Sequence, residues 1–142
     1  MAIEDGFEVK ELDNFQKKLL QKAQKEFPRE TYRFLRKVGS KGRAYIARKS
    51  RRIVKKKSGN YHKSWKRGRA YRKRDGSYEV QIRNNAPHAH LIEYGHRQVT
   101  KDGKEVGFVK GKHVLENGIK EFENQFFEML EDWLDEMLDK GL

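Results

Sequence analysis

The sequence contains no cysteine, and only two of its 142 residues are proline. Without cysteine the chain can form neither a disulfide nor a thiolate metal site. Its first ten residues have no charged region followed by an apolar stretch, as a secretory signal peptide would. No later segment approaches the roughly 18 consecutive apolar residues of a membrane span. We therefore expect a soluble protein that stays in the cytoplasm of the cell that makes it and has no membrane partner.

Apolar residues are also scarce. They make up 35% of the chain and charged residues 38%, whereas soluble domains average about 45–50% and about 25%. A chain of this length usually forms one domain, so we treat residues 1–142 as a single domain. We expect its core to be thin, with part of the structure becoming well ordered only against a partner.

Acidic residues are absent from the middle of the chain. Residues 41–74 contain sixteen Lys or Arg and no Asp or Glu, whereas residues 116–142 contain nine Asp or Glu and two Lys. Such asymmetry predicts contact with a polyanion such as DNA, or with the complementary face of another copy or another protein; a merely solvated surface is the third interpretation. The predicted basic face comprises Arg48, Arg51, Arg52, Lys55, Lys56, Lys57, Lys66 and Arg67.

Helical periodicity dominates both ends of the chain. Apolar residues recur every three or four positions over residues 11–27, which predicts a first helix. Pro28 suits the first position of a second helix, which we expect to run to about Val54. Gly39 and Gly42 lie inside it and would permit close approach of a neighbouring backbone. From Val114 to Leu138 an apolar stripe with acidic residues largely off it predicts a long amphipathic helix.

Strand patterns lie between the helices. Residues 61–66 and 78–83 alternate in hydrophobicity with period two, as half-buried strands do. Asp75-Gly76 and Asp102-Gly103 are strong signals for hairpin turns. Together with the helices they predict an α+β fold with N-terminal helices, a small antiparallel β-sheet that includes a short helical plug, and a long amphipathic C-terminal helix.

The helical plug is our interpretation of residues 84–97, NNAPHAHLIEYGHR, which contain three histidines. In this interpretation Asn85 caps a short helix, Pro87 takes its first position and Gly95 ends it in the left-handed conformation. Glu93 anchors a backbone or arginine contact. Leu91, Ile92 and Tyr94 form the buried side.

Two chemical interpretations compete with the plug. A metal site would need His88, His90 and His96 to converge, but His88 and His90 point to opposite sides of a strand or helix. A nuclease using Glu93 with His96 as acid and base lacks a recognisable nucleophile or phosphate-cradling loop. We therefore predict no catalytic residue, no metal and no cofactor.

Three segments carry a family resemblance in their order and spacing: SGNYHKSW (58–65), NNAPHAHLIEYGHR (84–97) and VKGKHVLENGIKEFENQF (109–126). They resemble the tail-component family of long-tailed bacteriophages, the tail-completion or tail-to-head joining proteins, and are similar also to minor tail protein Z of lambda-like phages. His88 departs from the tyrosine usual in the family. The predicted motif residues are Gly59, Tyr61, Ser64, Trp65, Asn85, Pro87, Ala89, Glu93, Tyr94 and Gly95.

The resemblance implies a non-enzymatic structural protein of the virion. Its copies would assemble as a ring at the head-tail interface, contacting head-connector and tail-tube proteins, after synthesis in the bacterial host cytoplasm. The alternative is a free-standing, sequence-nonspecific nucleic-acid-binding protein that uses residues 41–74, although no helix-turn-helix, zinc finger, RRM or KH signature is present. Its stacking groups would be Tyr45, Tyr61, Trp65 and Tyr71.

Overall fold

Two long helices and a set of short strands make up the computed structural model, which describes residues 3–5 and 13–141. The predicted α+β class is confirmed. In chain order the elements are β1 (Ile3–Asp5), α1 (Asn14–Glu26), α2 (Pro28–Ile53), α3 (Asn60–Lys63), β2 (Trp65–Arg67), β3 (Tyr71–Arg72), β4 (Tyr78–Glu79), β5 (Ile82–Asn84), α4 (Ala89–Tyr94), β6 (Gly95–Val99), β7 (Glu105–Lys110) and α5 (Val114–Asp139).

The core forms where α2 and α5 pack side by side in antiparallel directions. At one end the Phe34 ring stacks on Trp133 with centroids 4.7 Å apart, and towards the other end Tyr45 packs on Phe122 at 5.9 Å. Ala23 of α1 is buried in the same cluster. The apolar stripe predicted for the C-terminal helix is therefore the face that α5 buries against α2 and α1.

The predicted first helix begins at Asn14, and the predicted positions 11 and 12 lie outside the described residues. Asp13 caps it, because its side chain accepts a hydrogen bond from the Gln16 amide at 2.7 Å. The Gln16 side chain in turn accepts from the Asp13 amide, which completes a capping box. The capping box of Asp13 and Gln16 thus sets the first residue of this helix.

The second helix runs without interruption through Gly39 and Gly42, as predicted, and ends at Ile53. A Cβ atom at Gly39 would lie 2.8 Å from Val80 Cγ2. The Val80 side chain therefore fills the space that a side chain at Gly39 would need, whereas we expected a neighbouring backbone there. A similar close approach joins the long helices, since a Cβ atom at Gly118 of α5 would lie 2.7 Å from Ile46 Cγ1 of α2.

The strands form three small antiparallel sheets. In the three-stranded sheet β5 lies between β1 and β2, with Asn84 opposite Ile3 on one side and Trp65 on the other. The hairpins β3–β4 and β6–β7 turn at Asp75-Gly76 and Asp102-Gly103, as predicted. Each of these glycines has a φ near 90°, which is the conformation such turns require.

The two strand patterns predicted from alternation were partly wrong. Residues 60–63 form the helical turn α3, because the Lys63 amide donates to the Gly59 carbonyl at 3.1 Å and the Ser64 hydroxyl donates to the Asn60 carbonyl at 2.6 Å. Of that pattern, Trp65 and Lys66 lie in a strand. The pattern over residues 78–83 is interrupted after Glu79 and resumes at Ile82, because β4 pairs with β3 whereas β5 pairs with β1 and β2.

Replacing Phe122 by alanine should test the contact between the long helices. Phe122 is 1% exposed, so we expect Phe122→Ala to lower the free energy of unfolding by about 3–5 kcal/mol through lost burial and a residual cavity. Phe15, which is 65% exposed on α1, provides the matched control. Phe15→Ala should change stability by no more than about 0.5 kcal/mol. Chemical denaturation of both variants measures the difference, and equal losses would contradict this description of the core.

Candidate functional site

The first two motif segments, residues 58–65 and 84–97, lie in direct contact. The Asn84 side chain is fully buried and joins them, since its Nδ2 donates to the Tyr61 carbonyl at 2.9 Å while its Oδ1 accepts from the Ala86 amide at 2.9 Å. The Trp65 indole N–H donates to the Ser50 hydroxyl at 3.1 Å, which attaches the same region to α2. Buried polar groups with satisfied partners hold this corner in one arrangement.

The short helix α4 differs from the predicted plug in its start. It begins at Ala89 with His88 as the N-cap residue and no side-chain cap, so neither Asn85 as a cap nor Pro87 at the first helical position was correct. The reason lies in Asn84, whose side chain takes the Ala86 amide and sets a turn before the helix. Asn85 is exposed, and its amide donates to the Ser64 carbonyl.

The buried side of α4 also differs from the prediction. Tyr94 was expected there but is 60% exposed, whereas Leu91 and Ile92 are half-buried. The interior is instead contacted by Ala89 and Glu93, which are spaced four residues apart and therefore lie on the same face of the helix.

Glu93 caps the N-terminus of α5 from a distance in the chain. Its side chain is 1% exposed, and its two oxygens accept hydrogen bonds from the amides of Leu115 at 2.9 Å and Glu116 at 3.0 Å. His113, the N-cap residue of α5, makes no side-chain cap. A carboxylate therefore meets unpaired amides at the positive end of a 26-residue helix, where negative charge is stabilising. The backbone contact predicted for Glu93 is present.

This arrangement leaves Glu93 little capacity for chemistry. Both oxygens are engaged by backbone amides, so the carboxylate is not free to act as a general base with His96. His88 is exposed, and His90 and His96 are half-buried. Within the described parts of the chain, no three histidine or acidic side chains come together as metal ligands would.

Tyr61 lies beside this buried charge. Its ring packs edge-on against Trp65 with centroids 5.6 Å apart. Burial, and then the charge of Glu93, raise the pKa of Tyr61 above its usual range. The phenol therefore stays neutral at physiological pH. Its buried oxygen has no hydrogen-bond partner among the residues described here.

Gly95 joins α4 directly to β6. Its φ of 85° is positive, as predicted, but its ψ of 175° is extended, so the residue starts a strand at once. This combination is essentially restricted to glycine. A Cβ atom here would also lie 2.7 Å from the Gly111 amide nitrogen and 2.9 Å from Phe108 Cζ. The base of the β6–β7 hairpin thus leaves no room for a side chain.

A cleft of about 970 Å³ lies between the C-terminal end of α2, the start of α3, α4 and the base of the hairpin. Val54, Leu91, Ile92 and Val109 supply an apolar floor, and none of its lining residues is acidic. We call it the basic cleft. Seven cations line the cleft, and none of them forms an ion pair with another described residue. They are Arg51, Arg52, Lys55, Lys56, Lys57, Lys110 and Lys112.

The structure divides the basic face predicted from sequence. Five of its eight residues line the cleft, whereas Arg48 and Lys66 are exposed outside it. Arg67 is half-buried, with its methylene groups against Gly39. Lys110 and Lys112 were missed, because they lie more than thirty residues beyond the basic run of residues 41–74 and only the hairpin places them at the cleft. Their own neighbourhood in the sequence carried no signal for this.

The aromatic residues proposed for base stacking are engaged elsewhere. Tyr45 packs on Phe122, and Trp65 is 2% exposed. The Tyr71 hydroxyl is hydrogen-bonded to the carboxylate of Glu79. These side chains therefore do not offer open aromatic faces of the kind that bind single-stranded nucleic acid.

Among the helices of the described residues, none is long and apolar enough to cross a membrane.

Removing the Glu93 cap should destabilise the fold strongly. Glu93→Ala leaves the buried amide of Leu115 and the partly buried amide of Glu116 without acceptors, so we expect a loss of about 3 kcal/mol or more; Glu93→Gln keeps one acceptor and should lose less. Glu116→Gln, on the exposed side of the same helix turn, is the control and should be nearly neutral. Thermal and urea unfolding provide the measurement. A Glu93→Ala protein as stable as the control would refute the capping role.

Alanine substitutions at Gly95 and Gly103 distinguish the cost of a positive φ from the cost of a steric clash. Both have a φ near 85°, but a Cβ atom at Gly103 would meet no heavy atom within 4 Å. Gly103→Ala should therefore cost about 1 kcal/mol, from the positive φ alone. Gly95→Ala should cost at least about twice as much, because the hairpin base must also move. Equal losses in denaturant titrations would show that the hairpin base is not tightly packed.

Comparison with models of protein families finds a match. A family model described as "Bacteriophage HK97-gp10, putative tail-component" matches residues 12–95. The matched region includes the segment 58–65 and ends at Gly95, so the β6–β7 hairpin and α5 lie beyond it. No curated protein and no solved structure matches the chain.

Proposed function

Because the chain belongs to the HK97-gp10-like family of bacteriophage tail components, we propose that it is a non-enzymatic structural protein of a phage or prophage virion that completes the tail and joins it to the head. The family match over residues 12–95 carries this proposal. It includes segment 58–65 and segment 84–97 as far as Gly95, which the buried Asn84 connects.

In this proposal the copies assemble as a ring at the head-tail interface, against head-connector and tail-tube proteins, after synthesis in the host cytoplasm. Two kinds of surface support assembly with partners. Val99, Val106 and Phe108 on the β6–β7 hairpin are each 60–61% exposed, and clustered apolar surface commonly marks protein interfaces. The basic cleft adds a concave surface whose cations are unpaired within the described chain. A subunit with surfaces of this kind is suited to a closed oligomer.

Sequence-nonspecific binding of nucleic acid is the second candidate, and the seven cations of the basic cleft favour it. Phosphate contacts would make such binding weak, indifferent to sequence and steeply dependent on salt, with a log–log slope of about −0.9 per neutralised phosphate of duplex DNA. The engaged aromatic residues described above count against a dedicated single-strand platform. Equal binding to duplexes of unrelated sequence, lost when these cations are replaced, would favour this candidate over the structural one.

Loss of the gene should block the joining step of virion assembly. We expect a phage or prophage with an early stop codon in this gene to accumulate DNA-filled heads and separate tails, which electron microscopy of induced lysates would show. Wild-type protein supplied from a plasmid should restore infectious particles. Phe15→Ala, an exposed change, should restore them equally well, whereas the destabilised Glu93→Ala should not. Normal titres without the protein, or a block before DNA packaging, would contradict the proposed role.

A further inference from the structure

The outer face of α5 carries a line of unpaired acidic side chains. Glu128, Glu131, Asp135 and Asp139 are spaced by three or four residues, so they lie on one side of the helix, away from the buried Trp133. All four are exposed, and none forms an ion pair with another described residue. We call these four residues the acidic stripe.

The acidic stripe and the basic cleft lie at opposite ends of the molecule. Because α2 and α5 are antiparallel, the C-terminal end of α2, which lines the cleft, lies near the start of α5. The stripe begins fourteen residues further along α5, at Glu128. At 1.5 Å per residue it is about 20 to 37 Å from Val114. Charges that far apart cannot pair within one molecule.

From this placement we propose that the basic cleft of one copy receives the acidic stripe of a second copy. This inference rests on the proposed function, because it assigns the contact by which the subunits of the virion protein associate. The two surfaces differ and lie at opposite ends, so the contact is head-to-tail. Repetition of a head-to-tail contact closes a ring when its rotation allows. Opposite charges steer the encounter and fix its orientation.

The apolar floor of the cleft favours a protein occupant. Leu138 is 38% exposed beside the stripe, and the floor at Val54, Leu91 and Ile92 offers it a place to be buried. The phosphate backbone of DNA has no apolar group that could pack on the floor of the cleft. A DNA duplex is also too broad to enter the cleft and would contact mainly its rim. The β6–β7 hairpin of a second copy is a poorer match, because its tip carries two cations, Lys101 and Lys104, against one acidic residue, Asp102, and cations oppose entry into a basic cleft.

Charge reversal on each surface tests the contact in the full-length protein. The cleft variant is Lys55→Glu, Lys56→Glu and Lys57→Glu, and the stripe variant is Glu131→Lys, Asp135→Lys and Asp139→Lys. All six positions are exposed, so both variants should remain folded, as circular dichroism would show. The matched control is Lys18→Glu, Arg69→Glu and Arg74→Glu, which reverses three exposed cations outside both the cleft and the β6–β7 hairpin.

Sedimentation velocity over a range of protein and salt concentrations provides the readout. We expect the average mass of the wild type to rise with concentration at low salt and to fall as salt is added. Each triple variant alone should associate at least about tenfold more weakly. An equimolar mixture should associate again, because the intact cleft of one variant meets the intact stripe of the other. A chain carrying all six reversals should also associate, and the control should match the wild type.

Several results would overturn the inference. These are a wild type that stays monomeric at low salt, a triple variant that associates like the wild type, or a control that loses association equally. Loss of duplex DNA binding in the cleft variant, with normal association of the stripe variant, would assign the cleft to a polyanion instead. Failure of the proposed function is a separate result, because it appears in the phage assay while association in solution remains intact.

Discussion

A single buried carboxylate connects the two halves of this protein. Glu93 lies on the short helix α4, yet its oxygens accept hydrogen bonds from the amides of Leu115 and Glu116 in the first turn of α5. This long helix supplies much of the core. Taking a carboxylate out of water is unfavourable unless its oxygens are hydrogen-bonded, and here the helix N-terminus provides both the donors and the favourable field. The position of α5 on α2, and hence the main core, therefore depends on α4 being held in one place.

The surroundings of α4 provide that hold. Asn84 fixes the turn before α4 through bonds to Tyr61 and Ala86, and Gly95 fixes the exit by adopting a conformation that other residues rarely allow. The first two of the three segments that resemble bacteriophage tail components thus support one helix cap. Glu93 and Gly95 act on the architecture, whereas other motif residues, including Gly59, Tyr61 and Pro87, line the basic cleft.

Those surfaces carry the charge asymmetry of the chain. A small core leaves most charged side chains in water, and few of them pair within the molecule. The cations gather around a concave cleft at one end of the α2–α5 pair, whereas the acidic stripe follows α5 towards the other end. Because the two groups of charges are far apart, their attraction contributes little to the stability of the isolated chain. It gives two copies complementary ends, which is how a subunit can remain folded alone and still associate in one orientation.

The sequence by itself determined the three longest helices, the two hairpin turns and the family. Helical periodicity, Pro28 at a helix start and Asp-Gly pairs act through local backbone preferences, which are the same wherever the chain packs. It did not determine that residues 60–63 form a helical turn or that Asn84, rather than Asn85, is the structural asparagine. Nor did it place Lys110 and Lys112 at the cleft or assign the two amides bound by Glu93. The helical turn is closed by hydrogen bonds four residues apart, but it lies where Asn84 binds the Tyr61 carbonyl. The roles of Asn84, Glu93 and the two lysines depend on contacts between residues more than twenty positions apart, and only the tertiary structure decides which distant groups meet.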